Sequence, residues 1–576
     1  MLNRLTSAAA LLERADDRLH RPAPALVAAV PLAGRSLDAE RAVVEAAGAA
    51  VAAAVVAAEA VPELAAADGG LPVDRLARLG AELDAEARAA ERALRRLERT
   101  STALTPGLVG EAVHDARADL EPAVAALRSA ASGSLAAADL LGAEGPRSVL
   151  VVLQNNAELR GTGGYFGAFA LATGQDGRLE VGPFGDPTDV NHPPERARRV
   201  EAPAEFRQDF GPFLADSTLW RMFNMSPDVP DSAAVGAAVA GELLGQRPDA
   251  VLLLDTVALG RLVDLDDGVV RLPSGEEVEG DELVEALLVD AYSEAGDDYR
   301  AQAARQRDLR AAAGTTATRL LTSSELDADD AARAVQRLVD GRHLTVWAAD
   351  PQTQEHLVAA GAAGRLAAGP HDLVHVSVNN LTANKLDYYV DREVEHAVRL
   401  RDGRAEVVQR VVLTSRAPDG LVPYVAGTRR PGTSDLRVEL STSPRAEVHS
   451  LRVDGETARG DVRRGDDRTR VLTYVTLGRG QRVEVELRYV LDVPGDGYTA
   501  HLVPQPLARP ATLTVEVTGE DELAAPDGFS RDGAGVRRAH EWEGQELLRV
   551  APPQRSSWER LRRAVRDFWS EPVVLP

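Results

Sequence analysis

The stretch SVLVVLQ, residues 148–154, followed by NNAELRGTGGYF, residues 155–166, decides how this chain is read. A short unbroken apolar run closed by polar residues and glycines is the pattern of a strand buried on both faces. A second strand is expected directly after it, from about Tyr165 to Ala172. A polar, Pro-rich excursion from about Gly182 to Pro230 follows. Then come a helix over 231–245, a strand over Ala250–Asp255, a helix over 256–264, a hairpin over 268–279 and helices over 281–291 and 298–322. Strands alternating with helices predict a three-layer α/β domain over residues 146–350.

Outward from this centre the pattern changes on both sides. Residues 1–145 carry helical spacing, with Leu76, Leu79, Leu83, Ala87, Leu94 and Leu97 on one side of a helix from about Val73 to Thr100. Another helix is expected from about Leu108 to Leu141, so this region reads as a helical bundle or stalk. Beyond about Asp372 the period becomes two. Eight alternating segments, with Asp402-Gly403 and Asp454-Gly455 as hairpin turns, predict one or two β-sandwich modules over 371–550. The fold class is therefore multidomain α+β: an N-terminal helical region, a central three-layer α/β domain and C-terminal β-sandwich modules. Residues 555–570 form a last amphipathic helix, with Trp558, Leu561, Val565 and Trp569 on one face and Arg560, Arg562, Arg563 and Arg566 on others. That composition suits either docking on the sandwich or contact with a membrane surface.

Composition narrows the function. Of 576 residues, 65 are Lys or Arg against 89 Asp or Glu, a net charge of −24, which repels phosphate backbones and argues against a nucleic-acid partner. Cys is absent, which excludes disulfides, thiol catalysis and Cys-ligated zinc. The longest near-apolar run, Ala46 to Ala58, is shorter than the roughly 20 residues a membrane helix needs. No signal segment opens the sequence, so the chain as written is expected to be soluble. Ile is missing entirely, and Lys385 is the single lysine beside 64 arginines. This bias discounts propensity as evidence and makes a retained lysine informative.

The densest polar cluster placed directly after a buried strand is Asn155–Phe166, and ligands of open α/β sheets bind outside carboxyl strand ends. Arg160 offers a bidentate fork for phosphate or carboxylate, and Gly161, Gly163 and Gly164 let backbone N–H groups approach an anion. The alternative is a tight turn with Glu158 and Arg160 as a satisfied ion pair. Asp186, Asp189 and His192 are a weaker cation candidate. His371 and His375 stand four apart but enter a strand, where they lie roughly 13 Å from one another, so a zincin is excluded. Asn379, Asn380, Asn384, Lys385 and Asp387 form a second polar group at the start of the sandwich, read as an interdomain contact or a specific ammonium site.

Three stretches, LVVLQNNAELRGTGGYFGAFAL (150–171), PDAVLLLDTVALGRLVDL (248–265) and HVSVNNLTANKLDYYV (375–390), resemble in order the bacterial family called domain of unknown function 4012, from about Arg35 to Leu491. That resemblance implies an extracytoplasmic, membrane-associated protein of Gram-positive envelopes, working near polysaccharide; a cytoplasmic setting is the alternative. A more distant resemblance, carried by Arg160, Asp249 to Asp255 and DDYRAQAARQRDLRAA (297–312), is to the LytR-CpsA-Psr phosphotransferases. It implies that Arg160, Arg300 and Arg305 grip the pyrophosphate of a polyprenyl-linked glycan, with Gln306, Asn156, Thr162 and the three glycines as further ligand contacts. Gly161 and Thr162 stand where that family has an Asp, so Mg²⁺ would fall to Glu158 or Asn155. Two readings stay open: a glycopolymer phosphotransferase or carrier-lipid binder, and a non-catalytic envelope scaffold or glycan-binding protein.

Overall fold

Helix α1 (Val73–Arg99) buries Leu76, Leu79, Gly80, Leu83, Ala87, Ala90, Ala93 and Leu97, steps of three and four that make one stripe. Helix α2 (Gly107–Leu140) packs on it, with Ala131 joining Leu79 and Leu83. Leu120 and Val124 meet Ala90, Ala93 and Leu97 together with Ala39 and Ala42 of the helical residues 37–45. A Cβ added at Gly80 would stand 2.7 Å from Leu135 Cγ, so a glycine is what lets the two helices approach there. The structure, a computed structural model, describes residues 10–11, 14–15, 18, 37–45, 47–49, 51–52, 55–56, 70–99, 107–265, 268–271, 275, 277–290, 313–319, 328–493, 497–520, 522–533 and 535–551. They divide between Asp139 and Leu140 into two compact units. Among them no helix is long and apolar enough to cross a membrane. The expected tail helix over 555–570 lies outside the described residues.

The second unit begins with a five-stranded mixed sheet in the order β3-β2-β1-β4-β7. Its strands are β1 (Arg147–Arg160), β2 (Gly163–Gln175), β3 (Arg178–Val181), β4 (Ala250–Asp255) and β7 (Leu344–Ala348), with a separate hairpin of β5 (Val270–Arg271) and β6 (Glu277–Val278). β1 and β4 are parallel, from Val149 opposite Ala250 to Gln154 opposite Asp255. Period two sends Val149, Val151, Leu153, Leu252 and Leu254 to one face, against helices α5 (Thr256–Leu265) and α6 (Gly280–Glu285). Leu150, Val152, Val251 and Leu253 point to the other, against α3 (Ala204–Phe210) and α4 (Val229–Leu244). Helix, sheet and helix make three layers. Over Val149–Leu153 and Ala250–Leu254 both central strands are apolar at every step because both of their faces are covered.

Residues 182–230, expected as a polar excursion, instead supply much of the second face. Phe206, Phe210, Trp220, Phe223 and Met225 are buried there, with Phe166 and Trp220 edge to face at 5.1 Å. These apolar residues are separated by Pro and charged residues, so no period announces them. β7 and the flanking helices α7 (Ala328–Asp340) and α8 (Pro351–Ala359) were likewise not anticipated.

The rest of the unit is sheet-rich. An eight-stranded sheet runs in the order β13-β12-β16-β10-β9-β18-β20-β19 and a six-stranded one in the order β14-β15-β11-β8-β17-β21. The first comprises β9 (Val390–Arg401), β10 (Arg404–Ser415), β12 (Glu447–Val453), β13 (Glu456–Thr457), β16 (Arg482–Asp492), β18 (Ala511–Gly519), β19 (Ser530–Asp532) and β20 (Gly535–Trp542). The second comprises β8 (Asp372–Asn380), β11 (Thr433–Thr442), β14 (Asp461–Arg464), β15 (Thr469–Gly478), β17 (Tyr498–Val503) and β21 (Glu546–Val550). Val376 and Val438 of one sheet and Val411 and Leu487 of the other belong to a single apolar core. Asp402 and Gly403 have φ of 51° and 73°, and Asp454 and Gly455 of 51° and 80°. Two left-handed residues in a row are the I′ geometry that two-residue hairpins prefer.

Candidate functional site

β1 does not stop at Gln154. It continues through two irregularities, at Leu153/Gln154 and Asn155/Leu159, to Arg160, and β2 starts at Gly163. Asn155 to Arg160 are therefore strand residues, and the connection is only Gly161-Thr162. The glycines are present for packing. A Cβ on Gly161 would lie 2.2 Å from the Met225 carbonyl oxygen, and one on Gly164 2.3 Å from the Asn155 carbonyl carbon. Gly163 has φ of 135°, outside the usual range of a side-chain-bearing residue. The Gly161 N–H donates to Asn379 Oδ1 at 3.0 Å.

Arg160 is only 4% exposed. Its Nη1 donates to the carbonyls of Leu159 (2.8 Å) and Asn380 (2.9 Å), and its Nη2 to Glu158 Oε1 at 2.7 Å. The guanidinium carbon sits 5.3 Å from the Tyr165 ring centre. Glu158 turns its second oxygen toward Lys385, with Nζ 3.8 Å from Oε2. Two cations thus flank one carboxylate, and Lys385 also faces the Tyr424 ring at 5.5 Å.

Beneath this pair lies a second layer of polar groups from the sheet-rich region. Asp387 Oδ2 accepts from the Leu159 N–H (2.7 Å) and from Asn380 Nδ2 (2.8 Å). Asn384 Oδ1 accepts from the same Asn380 amide at 2.8 Å, and Asn384 Nδ2 donates to the Thr433 carbonyl at 3.0 Å. Gln505 Nε2 donates to the carbonyls of Arg160 and Val378 at 2.8 and 2.9 Å, while its Oε1 accepts from Arg392 Nη1 at 2.9 Å. Burial pushes the Asp387 carboxyl up to about 6, with Glu158 adding to the rise and its two N–H donors and Arg160 opposing it. Burial also raises the Tyr165 phenol, with the Glu158 charge adding to it.

Asn155 and Asn156 do different work. Asn155 Oδ1 accepts from the Ala157 N–H at 2.9 Å, a local turn within the bulge. Asn156 Nδ2 donates to Asp255 Oδ2 at 2.8 Å, and its Oδ1 accepts from the Thr256 hydroxyl at 2.7 Å. The same Asp255 oxygen lies 2.7 Å from His343 Nδ1. A buried carboxylate thus orients an imidazole at the carboxyl edge of β1 and β4. Asp255 closed the apolar run at residues 250–255, but His343 is 88 positions away and carried no sequence signal. Thr162 is buried, its hydroxyl donating to Gln154 Oε1, and Asn224 Nδ2 reaches Gln154 Oε1 (2.9 Å) and the Gly164 carbonyl (2.8 Å).

Arg300, Arg305 and Gln306 lie outside the described residues. Asp186 caps a short helix through the Thr188 N–H at 2.8 Å, and His192 Nδ1 stands 2.9 Å from the Thr218 hydroxyl, so neither is aimed at a shared cation. Among the described residues no group of three or more His, Asp or Glu stands together to hold a metal ion. Asn155 and Glu158 do not fit Mg²⁺. The Asn155 oxygen is taken by a backbone N–H, and the Glu158 oxygens face Arg160 and Lys385, whose charges oppose a second cation.

The β1–β2–β4 core with its strand-end polar network corresponds to the first two sequence stretches quoted above. Residues 144–292 match the model of the family described as protein of unknown function (DUF4012). The matched region starts after α2, takes in the first two of those stretches and ends before HVSVNNLTANKLDYYV. No curated protein matches the sequence. Among solved structures, a putative nutrient binding protein from Legionella pneumophila is similar with a TM-score of 0.24 and 7% identity, over 35% of this chain and 77% of that one. An M1 zinc metallopeptidase from Deinococcus radiodurans gives 0.18 and 14%, over 28% and 42%. Superpositions this loose carry no functional argument.

Proposed function

We propose that this chain is a non-catalytic scaffold or glycan-binding protein of the cell envelope, in which the DUF4012 strand end locks two halves of one unit together. The observation that carries this reading is the burial of Arg160 with both Nη atoms donating to protein acceptors. A guanidinium so engaged has to leave Asn380 and Glu158 before it can grip a pyrophosphate, and Glu158 would then be left buried beside Lys385. The shared apolar core of the eight- and six-stranded sheets supports reading the C-terminal half as a β-sandwich, an architecture suited to carrying a binding surface. The extracytoplasmic setting rests on the family resemblance.

The test is titration calorimetry of the full chain with inorganic pyrophosphate and with a short-chain polyprenyl phosphate, each with and without Mg²⁺. No saturable heat is expected in any arm. Saturable, Mg²⁺-dependent binding that disappears in a folded Arg160→Ala variant would restore the transferase reading.

A further inference from the structure

The six-stranded sheet has one apolar face and one buried polar face. Val374, Val376 and Val378 of β8 and Leu436, Val438 and Leu440 of β11 enter the core shared with the eight-stranded sheet. The alternate positions are His375, Ser377 and Asn379 on β8 and Arg437, Glu439 and Ser441 on β11, each 1% exposed or less. The register sets His375 opposite Ser441, Ser377 opposite Glu439 and Asn379 opposite Arg437. On the far side of β11, Arg470 of β15 stands opposite Ser441.

The α/β layer covers this face. Arg437 stacks over Phe210 at 4.6 Å, Asn379 Nδ2 donates to the Met225 carbonyl at 3.1 Å, and Arg470 pairs with Asp209 and Glu205. On the same face His375 Nε2, Ser377 Oγ, Ser441 Oγ, Glu439 Oε1 and Arg470 Nε find no hydrogen-bond partner among the described residues. Directly opposed residues have Cβ atoms about 5 Å apart, so the five side chains are neighbours on one face of the sheet. A buried polar group left without a partner costs more than a typical hydrogen bond contributes, and five together call for a common occupant.

Its chemistry follows from the atoms it must serve. His375 Nδ1 lies 2.9 Å from the Val503 carbonyl, and burial with the charge of Arg342 holds the ring neutral, so Nε2 only accepts. Glu439 Oε1 also accepts, Arg470 Nε–H donates, and the two hydroxyls do either. Glu439 and Arg470 are already neutralised by Arg437 and Asp209. The occupant is therefore small, uncharged, and both donor and acceptor. We propose that this face binds a fixed cluster of internal water molecules bridging His375, Ser377, Glu439, Ser441 and Arg470, so that sheet and α/β layer meet across a wet seam.

Ser377→Ala and Ser441→Ala separate water from a mere mismatch. Where water uses the hydroxyl, removing it strips that water of a partner, and the midpoint of thermal unfolding should fall by a few degrees in each variant. A midpoint unchanged or raised would mean that the hydroxyls were unserved, and would overturn the proposal. A crystal structure that resolves ordered solvent gives an independent reading. Discrete water density within hydrogen-bond distance of His375 Nε2 and Ser441 Oγ is expected; side chains closed on each other, or an organic molecule in that place, would refute it.

Discussion

Lys385 Nζ lies 3.8 Å from Glu158 Oε2, which sets the chain's single lysine, at the start of the sheet-rich region, against a carboxylate on the last turn of β1. Arg160 holds the other oxygen of the same carboxylate at 2.7 Å. The three side chains form a buried cation–anion–cation row, joined to Asp387 through the backbone of Leu159. Removing either cation takes one partner from the buried Glu158 carboxylate, and this is what the first two predictions exploit.

Arg160→Ala is expected to destabilise the chain by about 3–5 kcal/mol, because Glu158 and the Asn380 carbonyl lose their donors inside the protein. Urea unfolding monitored by tryptophan fluorescence checks it. A variant as stable as the parent would mean that the guanidinium is dispensable to the fold.

Lys385→Met should be milder, about 1–3 kcal/mol, since Arg160 still neutralises Glu158. Lys385→Arg keeps the charge and should recover part of the loss. Competition labelling with an amine reagent near neutral pH provides a second check: a structural ammonium reacts no faster than the α-amino group, whereas selective labelling of Lys385 would mark it as a reactive amine.

Gly161→Ala places a methyl 2.2 Å from the Met225 carbonyl oxygen and 2.6 Å from Pro227 N, both backbone atoms that cannot rotate aside. A loss of about 3 kcal/mol is expected. Gly403→Ala, where nothing lies within 4 Å, meets only the strain of its positive φ and should cost about 1 kcal/mol. Equal losses in the two variants would argue against the close approach at Gly161.

Asp387 and Asp231 are both pushed up to about 6 from an ordinary 3.8, chiefly by burial, with Glu158 adding to the first and Asp228 to the second. A carboxyl whose folded value is raised contributes stability that is fully present below pH 3.8 and is lost as pH rises through 6. These two groups therefore favour pH 5 over pH 7, by about 1 kcal/mol each. Asp387→Asn should flatten its part of that dependence. Thermal midpoints of parent and variant between pH 4 and 7 decide the matter, and identical slopes would remove Asp387 from the account.

Strand pairing and layer order could be read where periodicity was strong. Val149 to Leu153 and Val251 to Leu254 announce strands buried on both faces because every position is apolar, and α1 shows its stripe at three- and four-residue steps. Asp402-Gly403 and Asp454-Gly455 announce their turns because both central residues tolerate positive φ. Reading failed where burial is made by residues brought together over distance. Trp220, Phe223 and Met225 sit in a Pro-interrupted stretch, β14 and β19 are short, and His343 meets Asp255 only through the β4–β7 pairing.

The polar motif from Asn155 to Gly164 marks the division most clearly. By itself the sequence determined that these residues follow a buried strand, that an acid and a base stand two apart, and that three glycines crowd one connection. Those facts suit an anion cradle and a packed lock equally well, because local spacing says nothing about what covers a strand end. What only the tertiary structure decided is that cover: it brings Asn379, Asn380, Lys385, Asp387 and Gln505 over β1 from more than 200 residues away. Both Nη atoms of Arg160 then donate to protein oxygens, while its buried Nε has no partner among the described residues. Gly161 and Gly164 then permit the close backbone approach to Met225 and Asn155.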